Sequence, residues 1–401
     1  MSGSVEGPLG LDPDRLSACV ACGLCLPHCP TFRVTGEERY SPRGRIDAMR
    51  GVEAGETSID ASFVDFIDTC VQCRGCEPAC PSGVEYGALV EKTRTVLAQR
   101  GAISPWWQRM GFKVLGRHRW LLVGSSVLAG AQRLRLVPRR LGLPTLPLRR
   151  PPALSLKTTE PGVWLFTGCV MDAWQRDTHR NLAALIEVTG TTWSTPRRGG
   201  DCCGALHTHA GLHDDAVRLA ERVISSMPGD APIVVDAAGC GAGLQHVGEL
   251  LGTDAARQFS ARVVDASAWL AARLADLPAY DGPRESIVVQ DPCHLRHVQR
   301  DHLGTRTLVG HVADVVELDD DGLCCGAGGA YSALHPGMAG DIRARKVESI
   351  ERAAAPARCV VVASGNPGCS GFLAGALPER FDVRHPVDIV ADALGVALAD
   401  G

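Results

Sequence analysis

The sequence predicts an α+β protein with several domains, in which a small helical N-terminal domain precedes a larger, duplicated α/β domain. Three observations lead to this prediction. The chain has 401 residues, which is enough for two to three domains. Its 17 cysteines fall into two groups, and a basic segment without cysteine separates them. Around the second group, short β-branched runs alternate with helical patterns, and the whole arrangement occurs twice.

Composition excludes several classes of protein. The chain is 45% hydrophobic and 21% charged with a net charge of -4, which is typical of a globular protein and not of a disordered one. The number of cysteines is odd and the first residues do not resemble a signal peptide, so the thiols are expected to be metal ligands in the cytoplasm. The uncharged stretch that most resembles a membrane span, residues 120–131, is too short to cross a bilayer.

Two copies of one cysteine pattern define the first predicted domain, residues 1–100. The pattern C-x2-C-x2-C-x3-C-P is the run that binds paired [4Fe-4S] clusters, and its fourth cysteine ligates the other cluster of the pair. The predicted ligands of cluster 1 are Cys19, Cys22, Cys25 and Cys80. The predicted ligands of cluster 2 are Cys70, Cys73, Cys76 and Cys29.

Structural zinc also uses C-x2-C pairs, but it has no need for a fourth cysteine followed by proline in both copies. Helical patterns cover residues 44–52, 61–70 and 86–98, so this domain is expected to be helical. Between the two runs, Arg43 and Arg45 are expected either to neutralise cluster charge or to lie in a solvated loop.

Residues 101–160 form a basic, amphipathic connector. Between residues 92 and 159 there are 14 Lys and Arg and no Asp or Glu, with Trp106, Trp107 and Trp120 among the basic residues. Residues 104–150 are therefore expected to contact either an anionic membrane surface or an acidic partner subunit. Nucleic acid is not an expected partner, because no known binding module accompanies the basic residues.

The third predicted domain, residues 161–401, contains the repeat, with halves at about 161–282 and 283–401. In each half two strand-like runs lead to a cysteine, and a Cys-Cys-Gly unit lies between them. The runs are residues 163–166 and 233–235 in the first half and residues 287–289 and 360–362 in the second, and a helical pattern at 242–251 follows the run at 233–235. Carboxyl ends of parallel strands converge, so the four cysteines of each half are expected to meet. They are Cys169, Cys202, Cys203 and Cys240 in the first half and Cys293, Cys324, Cys325 and Cys369 in the second. A further iron-sulfur cluster or zinc is the expected occupant, and a vicinal disulfide or a redox-sensing thiol pair remains open.

These motifs together resemble the iron-sulfur subunit of glycolate oxidase. The resemblance rests on CVACGLCLPHCP, CVQCRGCEPACPSGVEY, SPRGRI, DCCGALH and LCCGAGGAY, and it covers nearly the whole chain except the connector. Heterodisulfide reductase is a more distant relative whose cysteine-rich units supply five thiolates to a noncubane cluster. Here the fifth position is Gly243 in one half and Phe372 in the other, so the sequence does not favour disulfide reduction as the activity.

The resemblance implies an electron-transfer subunit that accepts electrons from an FAD-containing dehydrogenase subunit oxidising glycolate and passes them towards a quinone. No glycine-rich segment of the sequence has both the spacing of a nucleotide-binding loop and a strand directly before it. No catalytic residue is therefore predicted. The expected location is the cytoplasm, with peripheral contact at the inner face of the membrane. The alternatives are the equivalent subunit of a D-lactate or anaerobic glycerol-3-phosphate dehydrogenase, or a zinc-stabilised scaffold or redox sensor.

Overall fold

A computed structural model of the chain describes residues 7–137, 146, 148–320 and 322–398. The N-terminal part is helical, as predicted. Its helices are α1 Pro13–Ser17, α2 Pro30–Thr35, α3 Pro42–Glu53, α4 Ala61–Asp68 and α5 Tyr86–Gln99. Short 3-10 turns cover Leu26–His28 and Glu38–Tyr40.

Helix starts in this domain follow local sequence signals. Ser41 accepts a hydrogen bond from Gly44 N at the start of α3, and Asp60 accepts one from Phe63 N at the start of α4. Cys29 is the N-cap residue of α2, and Pro30 follows it at the first helical position. Proline suits this position because its missing N–H has no partner there in any helix. The proline after the fourth cysteine of the first run therefore starts a helix directly behind that thiol.

The connector forms two helices, α6 Trp106–Leu115 and α7 His118–Arg133. The two helices pack against each other, and α7 also packs against the short helix Val170–Trp174 of the C-terminal region. Residues 138–145 and 147 of the predicted contact segment 104–150 lie outside the described residues. No helix among the described residues is both long and apolar enough to span a membrane.

The first half of the C-terminal region is a parallel four-stranded sheet with helices on both faces. Its strands are β1 Val163–Phe166, β2 Trp193–Ser194, β3 Ile233–Val235 and β4 Val263–Asp265, in the order β2-β1-β3-β4. Its helices are α8 Val170–Trp174, α9 Arg176–Val188, α10 Ala205–His209, α11 His213–Ser226, α12 Ala238–Gln245, α13 Val247–Leu251, α14 Asp254–Ala261 and α15 Ala266–Ala271, with a 3-10 turn at Leu274–Asp276.

The second half repeats this topology. Its strands are β5 Ser286–Val289, β6 Asp314–Val316, β7 Val361–Ala363 and β8 Asp382–Arg384, in the order β6-β5-β7-β8. A π-helical turn at His294–Gln299 is followed by α16 His302–Val309, α17 Tyr331–Leu334, α18 Pro336–Ala357, α19 Pro367–Ala374 and α20 Pro386–Leu394. All strand pairs in both sheets are parallel.

One hydrophobic core joins the two halves. Along β1, Val163 and Leu165 face this shared core, whereas Trp164 and Phe166 face the opposite layer of helices. Ile287 and Val289 of β5 contribute to the shared core in the same way. Between the sheets, α9 packs against α20 and α15 packs against α16. Helix α9 of the first half is equivalent to α16 of the second, and α15 is equivalent to α20. The two contacts are therefore related by the internal repeat.

The predicted fold class is confirmed: a helical N-terminal domain precedes two copies of one parallel α/β unit. The sequence predicts the central strands of each half to within one residue. The single helix predicted at residues 242–251 differs from the structure, which has two helices there, α12 and α13. Helix α12 also begins four residues before the predicted start. The outer strands β2, β4, β6 and β8 are not predicted by the sequence pattern.

Candidate functional site

Two cavities in the N-terminal domain are lined by the two predicted ligand sets. The first cavity is lined by Cys19, Cys22, Cys25 and Cys80, and Cys76 also reaches it. Cys22 is exposed, so this cavity lies close to the protein surface. The backbone turns sharply between these thiols, with Ala21 and Gly23 at positive φ. Such turns are what allow successive cysteines of a C-x2-C run to face a common centre.

The second cavity is deeper and is lined by the other predicted set, Cys29, Cys70, Cys73 and Cys76. Cys29, Cys70 and Cys76 are buried. Three groups point hydrogen-bonding atoms at these sulfurs. Thr31 Oγ1 lies 3.2 Å from Cys29 Sγ, and both the Gln72 N–H and the Tyr86 hydroxyl donate to Cys70 Sγ, at 3.4 and 3.5 Å. Hydrogen bonds to sulfur are one way in which proteins set the potential of an iron-sulfur cluster.

Arg45 is a buried cation beside the second cavity. Its side chain is about 1% exposed and donates hydrogen bonds to the carbonyls of Tyr40 and Phe66. Burial alone would lower its pKa, but the neighbouring Tyr86, Cys70 and Cys29 raise the pKa overall. Arg45 therefore stays charged and supplies positive charge next to the thiols, whereas Arg43 pairs with Glu38 at the surface.

The rear cysteines of the first half also lie close together. Cys203 Sγ and Cys240 Sγ are 3.3 Å apart. A hydrogen bond with Cys202 and burial raise the pKa of Cys169, while the same hydrogen bond lowers the pKa of Cys202. Cys169 precedes α8 and Cys240 lies in α12, after the central strands β1 and β3. The strand ends therefore bring together residues that are far apart in sequence.

The second half makes the equivalent cluster and extends it to the N-terminal domain. Cys293 Sγ lies 3.9 Å from Cys324 Sγ, and Cys325 contacts Cys369. Cys73 packs against the cluster of buried residues that contains Cys324, and the neighbouring Cys324 lowers the pKa of Cys73. A rear thiol and a front thiol thus belong to one packed cluster. No sequence pattern signals this contact, since the two residues are separated by the connector and the whole first half.

The fifth thiolate position of the distant relatives is filled by other packing. A Cβ added at Gly243 would lie 3.0 Å from Ala205 Cβ at the start of α10. In the second half Phe372 is buried, and the guanidinium of Arg343 lies 4.2 Å from the centre of its ring. Four thiols remain in each half, which suits a four-ligand site and not a five-thiolate one. Among the described residues, no three His, Cys, Asp or Glu side chains have the spacing of a single-ion site.

The histidines near the Cys-Cys-Gly units line the contact between domains. His294 Nε2 lies 3.0 Å from the carbonyl of Gln72. Burial lowers the pKa of His209 to about 3 and that of His297 to about 4, so both are neutral at physiological pH. In this structure they act as packing groups and backbone hydrogen-bond partners.

Comparison with known proteins identifies both kinds of domain. A family model for a 4Fe-4S dicluster domain matches residues 15–84, and a model for a cysteine-rich domain matches residues 163–245 and 287–374. The probable glycolate oxidase iron-sulfur subunit of Bacillus subtilis is 30% identical over 96% of this chain and 95% of its own length. This chain belongs to the glycolate oxidase iron-sulfur subunit family.

Other members and relatives match over nearly the same length. The glycolate oxidase iron-sulfur subunit of Escherichia coli is 29% identical over 94% of both chains. A dihydromethanophenazine:CoB–CoM heterodisulfide reductase subunit of Methanosarcina barkeri is 27% identical over 96% of this chain and 95% of its own. All are subunits of oxidoreductases, and this chain is accordingly an iron-sulfur electron-transfer subunit.

Proposed function

We propose that this chain is the electron-transfer subunit of a glycolate-oxidising complex, and that it accepts electrons from an FAD-containing partner subunit and delivers them to a membrane quinone. The observation that carries the proposal is the continuous line of thiols from the exposed Cys22 through the second cavity to Cys324. The glycolate specificity is taken from the two relatives named for it.

We assign one [4Fe-4S] cluster to each of the two front cavities, where the four thiols that line the cavity would hold it. Such a cluster carries one electron at a time, at a potential set by its surroundings. Cys22 and its neighbours Val20 and Leu24 provide the entry side: Val20 is 69% exposed and Leu24 is 56% exposed. Exposed apolar side chains around a redox centre suit docking of a partner protein. We assign the rear thiols to a further four-ligand site for an iron-sulfur cluster in one or both halves, since no three side chains of the described residues have the spacing for a zinc ion.

The connector carries a surface suited to an anionic bilayer at the inner face of the membrane. Trp106, Trp107 and Met110 of α6 and Val123 and Val127 of α7 are exposed, as are several cations on the same helices and at the end of α7. These cations are Lys113, Arg117, Arg119, Arg133 and Arg135. Interfacial helices combine these two features, with tryptophan in the headgroup layer and cations on the lipid phosphates.

Copurification with the flavoprotein partner tests the function. The complex is expected to reduce an artificial dye with glycolate as donor, and with D-lactate and glycerol 3-phosphate much less well. The chain alone, prepared anaerobically, is expected to contain about eight iron atoms, or more if the rear site also holds iron. Preference for D-lactate or glycerol 3-phosphate would reassign the substrate. Zinc without iron or acid-labile sulfide would contradict electron transfer altogether.

Vesicle sedimentation tests the surface. The chain is expected to sediment with phosphatidylglycerol vesicles and to stay in the supernatant of phosphatidylcholine vesicles, with binding that weakens as salt is raised. Trp106→Ser with Trp107→Ser is expected to reduce binding about tenfold or more. Leu303→Ser on α16 is the matched control, because Leu303 is also an exposed apolar residue, at 62%. If the tryptophan variant binds vesicles normally but loses the flavoprotein, the surface serves the partner subunit instead.

A further inference from the structure

Helix α3 places one arginine beside each of the two front cavities. Arg43 lines the first cavity and Arg45 lines the second, although a single glycine separates them in the sequence. Residues two positions apart on a helix do not share a face, so the segment SPRGR serves both cavities at once. The two arginines differ in what neutralises their charge.

Arg43 is paired with a carboxylate and reaches solvent. Its Nε and Nη2 atoms donate to the two carboxylate oxygens of Glu38, at 2.7 and 2.9 Å. The Arg43 side chain is 31% exposed and the Glu38 side chain is 46% exposed. The positive charge beside the first cavity is therefore neutralised by an acid and screened by water.

Arg45 is buried and has only neutral partners. Its side chain is 1% exposed. The guanidinium donates to the carbonyls of Phe66 and Tyr40, each at 2.6 Å, and to the hydroxyls of Thr31 and Thr69, at 3.2 and 3.5 Å. No carboxylate in the described part of the chain forms a hydrogen bond with it. The hydrogen-bonding capacity of Arg45 is thus used, but its charge is not neutralised.

The other buried lysine and arginine of the described chain each have an acidic partner. Lys346 is 2% exposed, and its Nζ lies 2.5 Å from Asp320 Oδ2. Arg94 is 7% exposed, and its Nη2 lies 3.5 Å from Asp68 Oδ1. A buried charge without an opposite charge is strongly unfavourable. The counter-charge of Arg45 is therefore expected in the cavity that it lines.

A ligand set of four thiolates would supply this counter-charge. Four thiolates outweigh the positive charge of an iron-sulfur core, so the loaded site is anionic, and one-electron reduction makes it more negative. Arg45 is linked to one of the sulfurs through Thr31, whose Oγ1 accepts from Arg45 Nη1 and lies 3.2 Å from Cys29 Sγ. A fixed cation stabilises the more negative of two states by more than the less negative one.

We infer that Arg45 is the built-in counter-charge of the second cavity, and that it raises the reduction potential of the cluster assigned there. The inference rests on the proposed function, since it requires an iron-sulfur cluster in this cavity. Burial alone disfavours reduction, because it penalises added negative charge, and Arg45 offsets that penalty. Each reduction adds one electron, from the partner's flavin in the complex or from dithionite in the test, and breaks no bond. Arg45 acts through its charge and position and is not a catalytic residue.

Redox titration of the full, cluster-loaded chain, followed by low-temperature paramagnetic resonance, tests the inference without a partner subunit. Arg45→Gln is expected to lower the equilibrium constant for reduction of the second cluster at least tenfold, or about 59 mV for one electron. Arg45→Met, which fills the same space with an apolar side chain, is expected to do the same. Arg45→Lys keeps the charge and is expected to stay within roughly threefold of wild type.

Two further variants make the titration specific to the second cavity. Arg43→Gln is the matched control, since it removes the same charge from the same helix two residues away. It is expected to leave the second cluster unchanged, because the Arg43 charge is already paired and screened. Cys22→Ser alters a ligand assigned to the first cluster, and so identifies which step of the titration belongs to which cavity.

The outcomes separate a charge effect from a structural one. Loss of iron from one site in both neutral variants, with iron retained in Arg45→Lys, would also support the inference, because only the charge distinguishes these variants in common. An unchanged potential in Arg45→Gln and Arg45→Met would overturn it. An equal defect in Arg45→Lys would overturn it as well, since Arg45 would then serve only to hold the backbone around it.

Failure of the proposed function gives a different result. A chain that contains zinc and no iron has no reduction step to titrate, which overturns both proposals together. A complex that oxidises no glycolate leaves the potential shift of Arg45→Gln intact. Conversely, a potential that does not respond to Arg45 leaves dye reduction by the complex intact.

Discussion

The two halves of the C-terminal region have the same strand order but meet the N-terminal domain in different ways. The first half contacts it through charged and polar groups, with His246 between Glu91 and Glu249 and with Arg94 on the carbonyl of His209. The second half also makes polar contacts with it, through His294 and Tyr331, and in addition places Cys324 of its thiol site in one packed cluster with Cys73. Duplication supplied two equivalent cysteine sites, and docking connects one of them directly to the front thiols.

The surroundings of the first-half thiols support this distinction. Cys169 and Cys202 pack in one cluster with Leu121 of the connector helix α7. Asn366 links the two rear sites, since its side chain accepts from Gly239 N, next to Cys240, and donates to Cys369 Sγ at 3.4 Å. The first-half site is therefore joined to the second-half site through one side chain, and the second-half site in turn touches the front thiols.

The largest expected difference between the halves concerns the glycine of each Cys-Cys-Gly unit. Gly204 and Gly326 both have positive φ, at 80° and 87°, where a side chain costs roughly 1–2 kcal/mol. A Cβ at Gly326 would also lie 2.6 Å from the carbonyl oxygen of Ala339, whereas at Gly204 the nearest atom is at 3.5 Å. Gly326→Ala is expected to reduce the free energy of unfolding by about 3 kcal/mol and Gly204→Ala by about 1 kcal/mol.

Urea unfolding followed by circular dichroism measures both variants against wild type. Equal losses in the two variants would mean that backbone conformation alone decides the cost and that the tighter packing of the second half has no effect.

A smaller effect is expected from the ionic contact of the first half. Burial alone would lower the pKa of His246, but its hydrogen bonds with Glu249 and Glu91 raise it to about 10. Because the folded pKa lies above the unfolded value of about 6.5, the protonated histidine stabilises the fold fully below pH 6.5, and this contribution is lost as the pH rises towards 10. His246→Gln is expected to cost about 2 kcal/mol at pH 6 and much less at pH 10.

Unfolding of wild type and His246→Gln at pH 6, 8 and 10 checks this dependence. His213→Gln is the control, since His213 of α11 and His246 line the same surface cavity. A cost that is independent of pH would show that His246 acts through packing and not through its charge.

The sequence predicted the parts of the molecule that depend on local pattern. The cysteine runs have fixed spacing, and the central strands β1, β3, β5 and β7 are short, mostly apolar runs, so both could be located. The outer strand β6, by contrast, begins with an exposed aspartate and is only three residues long, so its pairing with β5 decides its conformation. The packing of Cys73 with Cys324 depends on domain docking, and the burial of Arg45 depends on contacts between separate segments of the N-terminal domain. No short-range pattern encodes either one.

The smallest expected effect is also the most direct comparison of the two rear sites. Cys202 and Cys324 are equivalent residues of the two Cys-Cys-Gly units, but Cys324 shares a packed cluster with Cys73, whereas Cys202 packs with Leu121. Charge and polarity next to ligand sulfurs tune cluster potentials, and a change of about 0.7 kcal/mol corresponds to roughly 30 mV for one electron. Cys324→Ser is expected to shift the potential of the buried front cluster by about that amount, measured by redox titration with low-temperature paramagnetic resonance.

Cys202→Ser removes the equivalent thiol from the first half and is expected to leave that potential unchanged. Equal shifts in the two variants would mean that both halves affect the front thiols equally. The different docking of the two halves would then have no effect on the reduction potential of the buried front cluster.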